Sequence, residues 1–231
     1  GDRLKKITGL QKVLQYRFNN YSLLDEALTH RSYTNEKIVS LKNNERLEFL
    51  GDSVLDLIVS VYMIRVYTNH SEGTLSKIRA AVVNEQCFAD LARNISLGEC
   101  LLLGRGEELS GGRDKNSLLA NAFEAIAGAI CIDSDFEMAS RVFLPLLLPD
   151  IQRISETSRF RDYKSELQEY TQNKMNCIPS YRVVKESGPE HEKVFYVSVI
   201  VQKDKKGVGS GKSKKEAEQA AAREALEILD S

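Results

Sequence analysis

The chain has 231 residues, 42% of them hydrophobic and 28% charged, with a formal net charge of −1. This composition is that of a soluble globular protein and excludes a disordered chain. The length suits one large domain or two ordinary ones. The near-neutral average argues against a uniformly basic nucleic-acid binder but says nothing of local patches.

Cys87, Cys100, Cys131 and Cys177 are widely spaced and form no CxxC pair, so neither a disulfide framework nor a zinc site is implied. They read as small buried fillers in a reducing compartment. The apolar run from Phe143 to Leu148 is too short to span a bilayer and contains Pro145. Gly1 to Lys6 is not followed by a signal-peptide core. A cytoplasmic protein without a membrane partner is expected.

In chain order, the pattern predicts helices at roughly 4–14, 21–30, 43–67, 74–94, 116–132 and 135–146. In the second, Ser22 caps an apolar face made by Leu23, Leu24, Ala27 and Leu28. The third is apolar on nearly every face, through Leu57, Ile58, Val59, Val61 and Ile64, and such a helix is normally buried. Glu45, Glu48 and Asp52 fall within it at spacings of three and four, which stacks them on one side. Leu47, Phe49 and Leu50 read as core or as a dimer interface, and Gly51 as a point of close helix approach. The segment 104–115 is polar and glycine-rich, hence a loop. The helix at 116–132 is again apolar, with Asn121 and Glu124 its polar side chains after Ser117 and before Cys131. No strand-like alternation is present up to this point.

Buried carboxylates are costly unless paired, protonated or bound to a cation. If the two apolar helices face each other, Glu48, Asp52, Asn121 and Glu124 converge. An oxygen-only donor set suits Mg²⁺ or Mn²⁺ rather than Zn²⁺. The alternatives are solvated acids on surface helices, or a hydrogen-bonded polar network.

A first domain therefore covers 1–149, and the polar stretch 150–161 reads as a flexible linker. Residues 162–231 predict helix, three strands, helix. A short helix carries Leu167, Tyr170 and Met175. Strands follow at 180–185, 193–201 and 206–212. Ser213 then caps the last helix, with Glu216 completing a capping box. Its small face of Ala217, Ala220, Ala221 and Ala225 allows close packing on the sheet. From 203 to 215 six lysines oppose Asp204 alone, a local charge of about +5. Lys212, Lys214 and Lys215 gather where the helix dipole also favours a phosphate. The alternative is a solvated loop and helix start.

The stretch Glu45-Arg46-Leu47-Glu48-Phe49-Leu50-Gly51-Asp52-Ser53-Val54-Leu55 resembles the signature of the ribonuclease III family of double-stranded-RNA endonucleases. Ala27 to Tyr33, Glu72 to Ala80 and Ala122 to Ala129 match further blocks in the family's order. The C-terminal part resembles the double-stranded-RNA-binding domain through Leu167-Gln168-Glu169, Gly188 to His191 and Gly209 to Glu218. The resemblance implies an all-α nuclease domain of the ribonuclease III helical fold, followed by an α-β-β-β-α domain. It implies a homodimer joined through the nuclease domains that hydrolyses duplex RNA with Mg²⁺, or Mn²⁺ in its place. The products would carry 5′-phosphates, 3′-hydroxyls and two-nucleotide 3′ overhangs. The biological role implied is processing of ribosomal RNA precursors and of some messenger and transfer RNAs.

By motif, Glu48, Asp52, Asn121 and Glu124 would be metal ligands, Asp52 and Glu124 catalytic, and Glu45 a further active-site acid. Ser165, Gln168, Glu169, Gln172, His191, Lys212, Ser213, Lys214 and Lys215 would meet RNA. Asn121 stands where the family pattern has Asp. An amide keeps a carbonyl oxygen but removes a charge and adds donors. The site would then bind metal more weakly, and the alternative function is a double-stranded-RNA-binding protein with an attenuated or disabled nuclease site.

Overall fold

A computed structural model describes residues 2–36, 41–68, 70–157 and 161–229. The chain divides into two compact units, one within residues 1–68 and 72–160 and one made of 161–231 together with 69–71. The first is helical: α1 (Asp2–Val13), α2 (Tyr21–Ala27), α3 (Arg31–Asn35), α4 (Glu45–Val66), α5 (Glu72–Val82), α6 (Glu85–Asn94), α7 (Arg105–Leu109), α8 (Asn116–Asp133) and α9 (Phe136–Ser155). Its strand-like feature is an isolated bridge between Thr29 and Leu102.

Four expectations are corrected. The single helix expected at 74–94 is two, because Asn84 is extended and its side chain accepts the Cys87 N–H as the cap of α6. The expected loop 104–115 contains α7, folded back by Lys115–Glu107 and Arg113–Glu108 ion pairs. Helix α3 is a further short element, capped by His30. Finally, α9 does not stop near 146 but runs through Pro145 and Pro149 to Ser155. Each proline forfeits a helical hydrogen bond. Burial of Leu147 and Ile151 on the core side outweighs that loss. Residues 150–155, expected as linker, are therefore helical, and 158–160 of that stretch lie outside the described residues.

The core of this unit gathers around α8, which buries ten residues between Leu119 and Ile130. Phe123 on α8 stacks against Phe88 and Phe143, with ring centroids 5.4 and 5.0 Å away. Helix α4 is less buried than its composition predicts. Phe49 is 79% exposed, Leu57 50% and Ile64 66%. At about 100° per residue these three share one arc of the helix.

The second unit is α10 (Tyr163–Met175), β1 (Ser180–Ser187), β2 (Val194–Val201), β3 (Asp204–Gly211) and α11 (Lys214–Leu229). The strands form an antiparallel sheet in the order β1-β2-β3. Val183, Val197 and Gly209 lie opposite one another across it. Ala217, Ala221, Ala222 and Ala225 of α11 are fully buried against it. A Cβ on Gly209 would overlap backbone atoms of Ala221 and Ala217, so glycine is what lets helix and strand approach this closely.

Candidate functional site

Helices α4 and α8 touch at two glycines. A Cβ on Gly51 would overlap the carbonyl oxygen of Glu124, and one on Gly128 would overlap the carbonyl oxygen of Leu47. Moving from the first contact to the second goes four residues back on α4 and four forward on α8. The helices are therefore antiparallel, with backbones in direct contact. The same register sets the heights of the polar side chains. Glu124 is level with Gly51, between Glu48 and Asp52. Asn121, one turn earlier on α8, is level with Val54, between Asp52 and Asp56.

The carboxylates sense one another. Glu124 is half-buried, and its carboxyl is pushed up to about 8, first by burial and then by the charges of Asp52, Glu48 and Asp56. Burial also raises the Glu48 carboxyl, with Glu45 and Asp52 adding to it and Arg31 opposing. Asp56 is raised by burial and by Asp52, and drawn back by Arg79. Among the described residues no hydrogen bond or ion pair engages the carboxylates of Glu48, Asp52, Asp56 or Glu124, or the amide of Asn121. These are oxygen donors that no other protein group engages.

Sequence reasoning placed Glu48, Asp52, Asn121 and Glu124 together; Glu48 and Asp52 on α4 stand near enough to Glu124 on α8 for their charges to act on it, and the helix register puts Asn121 one turn from Glu124 beside this α4–α8 groove. Two details differ. Asp52 is exposed while Glu48 and Glu124 are half-buried, so the acids are less enclosed than predicted. Among the described residues no three His, Cys, Asp or Glu side chains are grouped closely enough to hold a metal ion as they stand. The chemistry of the set still fits a hard divalent cation: oxygen donors alone, half-buried, mutually repelling and otherwise unengaged. Glu45 lies apart from this description. It is exposed, 3.5 Å from the Arg31 guanidinium and within 3.3 Å of the Asn43 amide. Asp56 was not singled out from sequence, although its spacing of four from Asp52 was a usable signal.

His30 does not act in the groove. Its Nδ1 accepts the Ser32 N–H at 3.3 Å and faces the Ser32 hydroxyl at 2.8 Å, and burial lowers its pKa. Cys100 is buried and the other three cysteines half-buried, all free. Among the described residues no helix is long and apolar enough to cross a membrane.

In the second unit, Gln168, Glu169 and Gln172 are exposed on α10 and His191 is exposed in a 3₁₀ turn, Glu190–Glu192, between β1 and β2. Ser165 differs from expectation. It is half-buried, and its hydroxyl donates to Asp162 at 3.0 Å while its N–H is capped by the same carboxylate at 3.2 Å. Lys212, Lys214 and Lys215 are exposed around the start of α11 and form no ion pair among the described residues. The Ser213 hydroxyl accepts the Glu216 N–H at 3.2 Å, and Glu216 reaches back to the Lys212 N–H at 2.9 Å. This is the predicted capping box, displaced by one residue at its return bond. Lys214 also lies 5.8 Å above the Phe195 ring.

Two family models match the chain. The model described as "Ribonuclease-III-like" matches residues 20–151, and that described as "Double-stranded RNA binding motif" matches 163–229. "Ribonuclease 3" of Borreliella burgdorferi is 46% identical over 229 residues, covering 99% of this chain and 94% of that protein. "Ribonuclease 3" of Nitratiruptor sp. is 44% identical over 226 residues, covering 98% of each. Among solved structures, the nuclease domain of ribonuclease III from Campylobacter jejuni aligns with a TM-score of 0.58 at 44% identity. It covers 62% of this chain and 97% of that one.

Proposed function

The chain belongs to the ribonuclease III family, and from that premise we propose that it cuts both strands of duplex RNA by divalent-metal-dependent hydrolysis. Cleavage leaves 5′-phosphate and 3′-hydroxyl ends with two-nucleotide 3′ overhangs. The observation that carries this reading is the α4–α8 groove, where Glu124 is raised to about 8 beside the unengaged carboxylates of Glu48 and Asp52. Glu48, Asp52 and Glu124 would hold Mg²⁺, with the Asn121 carbonyl oxygen as a neutral donor. The cation supplies an activated water and neutralises charge on the scissile phosphate. Glu45, tied to Arg31, borders the site as a further acid.

The active form is a homodimer. Phe49, Leu57 and Ile64 support this as exposed apolar side chains on α4. Their arc lies next to that of Glu48, Asp52 and Asp56, so a second copy seated there would border the acids of the first. A solved relative is described as having a region involved in dimer formation in its nuclease domain.

In the second unit, Gln168, Glu169, Gln172 and His191 meet the shallow minor grooves of A-form RNA, which present 2′-hydroxyls rather than a readable base code. Lys212, Lys214 and Lys215 neutralise the intervening phosphates, with the capped start of α11 adding its dipole. Ser213 holds that helix start, and Ser165 acts through its two hydrogen bonds to Asp162, the cap of α10.

Cleavage of a long RNA duplex, followed on gels with Mg²⁺, Mn²⁺ or chelator, tests the reading. Chelation abolishes cutting, and Glu124→Gln slows it on the order of a thousandfold while duplex binding persists. Parent-like cutting by Glu124→Gln would overturn the assignment. Asn121 favours the second reading, an RNA binder with an attenuated site. That reading requires Asn121→Asp to cut much faster than the parent at equal Mg²⁺, and equal rates remove it.

A further inference from the structure

The acids of the groove are unevenly shared between its walls. Helix α8 contributes one charge, Glu124, with the neutral Asn121 one turn before it. Helix α4 carries Glu48 and Asp52 and then, four residues on, Asp56. That step is about 6 Å along the helix axis. In the α4–α8 register, Asn121 stands between the levels of Asp52 and Asp56, as Glu124 stands between those of Glu48 and Asp52.

Asp56 is half-buried, and its backbone carbonyl belongs to a short network with α5. The Arg79 guanidinium donates to the Ser60 hydroxyl at 2.9 Å, and that hydroxyl donates to the Asp56 carbonyl oxygen at 2.7 Å. Arg79 forms no ion pair among the described residues, so the Asp56 carboxylate is not tied down by a direct salt bridge. Asp56 follows Asp52 by four residues on the same side of α4, and the register fixed by the Gly51–Glu124 and Gly128–Leu47 contacts sets it just over one turn past the level of Glu124, so its charge falls beside the groove. Arg79 pulls the Asp56 carboxyl the other way, so the two opposite charges compete beside the groove.

We propose that Asp56 is a positioning residue of this site. From one turn beyond Asp52 it supplies the negative charge that the Asn121 amide lacks, and it strengthens the hold of the groove on a divalent cation without touching that cation. Arg79 opposes it and sets how much of that charge the groove senses. The inference rests on the metal-dependent reading above and names a residue outside the ligand set proposed there.

The test is Mn²⁺ titration of the full-length RNA-free protein, read by electron paramagnetic resonance of the free ion. Thermal melts check that each variant is folded. Asp56→Asn weakens Mn²⁺ binding about five- to tenfold, the scale of one unit charge acting on a divalent ion over a few ångströms of partly wet groove. Asp56→Glu stays within about twofold of the parent. Arg79→Gln has the opposite sign and tightens binding about threefold. Asn121→Asp placed on Asp56→Asn restores the parent affinity. Loss of folding lowers affinity and cannot raise it, so Arg79→Gln keeps the test decisive if Asp56→Asn melts early. Unchanged affinity in folded Asp56→Asn, or weakened affinity in Arg79→Gln, overturns the role of Asp56 while leaving the metal site standing. A parent that binds no Mn²⁺ overturns both.

Discussion

The α4–α8 groove and the start of α11 both gather charge, but they are built in opposite ways. The groove collects like charges in a half-buried place, where burial and mutual repulsion raise Glu124 to about 8. The start of α11 spreads Lys212, Lys214 and Lys215 in solvent. Glycine serves both regions, with different results. At Gly51 it allows two helix backbones to touch, which forces Asp52 and Glu124 together. At Gly209 it seats an alanine-faced helix on a strand, which fixes where the lysines stand and leaves them hydrated. A site that needs a cation is made by concentrating charge against its own repulsion. A site that needs a polyanion needs only exposure and a rigid base.

The largest expected effect breaks the shared device. Gly51→Ala should cost about 3 kcal/mol or more in chemical denaturation, because the new methyl meets backbone rather than a movable side chain. Cleavage should fall with it while the second unit keeps binding duplex. Gly209→Ala should cost a similar amount and show the reverse pattern, losing duplex binding first. If either variant is as stable as the parent, the glycine contacts do not hold these elements together.

A smaller effect, expected in the groove but not at α11, is pH-dependent. The folded pKa of Glu124 is raised from 4.5 to about 8, so the unfolded chain binds fewer protons between those values. Stability of the metal-free protein should then fall as pH rises through that window. The loss is on the order of 2 kcal/mol, reduced from the bare shift because the carboxyl is partly solvated. Denaturation midpoints for parent and Glu124→Gln should diverge with rising pH in favour of the variant. Parallel curves would mean that Glu124 is not strained by its neighbours.

The smallest effect sharpens the other side of the comparison. Lys214→Ala with Lys215→Ala should weaken binding to any duplex sequence by about tenfold at physiological salt. It should also reduce the salt slope by about one to two. Fluorescence anisotropy at several salt concentrations reads both, and an unchanged slope contradicts phosphate contact.

Local rules reached some of this and stopped where distance along the chain began to matter. Asn84 was invisible as a break because the apolar pattern from Leu75 to Cys87 reads through it. The continuation of α9 past 146 was not legible because it crosses Pro149 into a polar stretch, whereas burial of Leu147 and Ile151 is a property of the assembled core. Ser165 looked like a free surface hydroxyl because its tie to Asp162 depends on how α10 begins. Asp56 lay in plain view at a spacing of four from Asp52, a signal that marks its face of α4 but not its burial.

What the sequence by itself determined was which side chains share a face, the capped lysine-rich helix start, and the order of helices and strands. These follow from periodicity and capping, which operate over a few residues. The antiparallel contact of α4 with α8, the interleaving of Glu48, Glu124, Asp52, Asn121 and Asp56, and the raised Glu124 carboxyl were decided by tertiary structure. Desolvation and Coulomb repulsion depend on separations in space, and those exist only once Gly51 and Gly128 have let the two helices close.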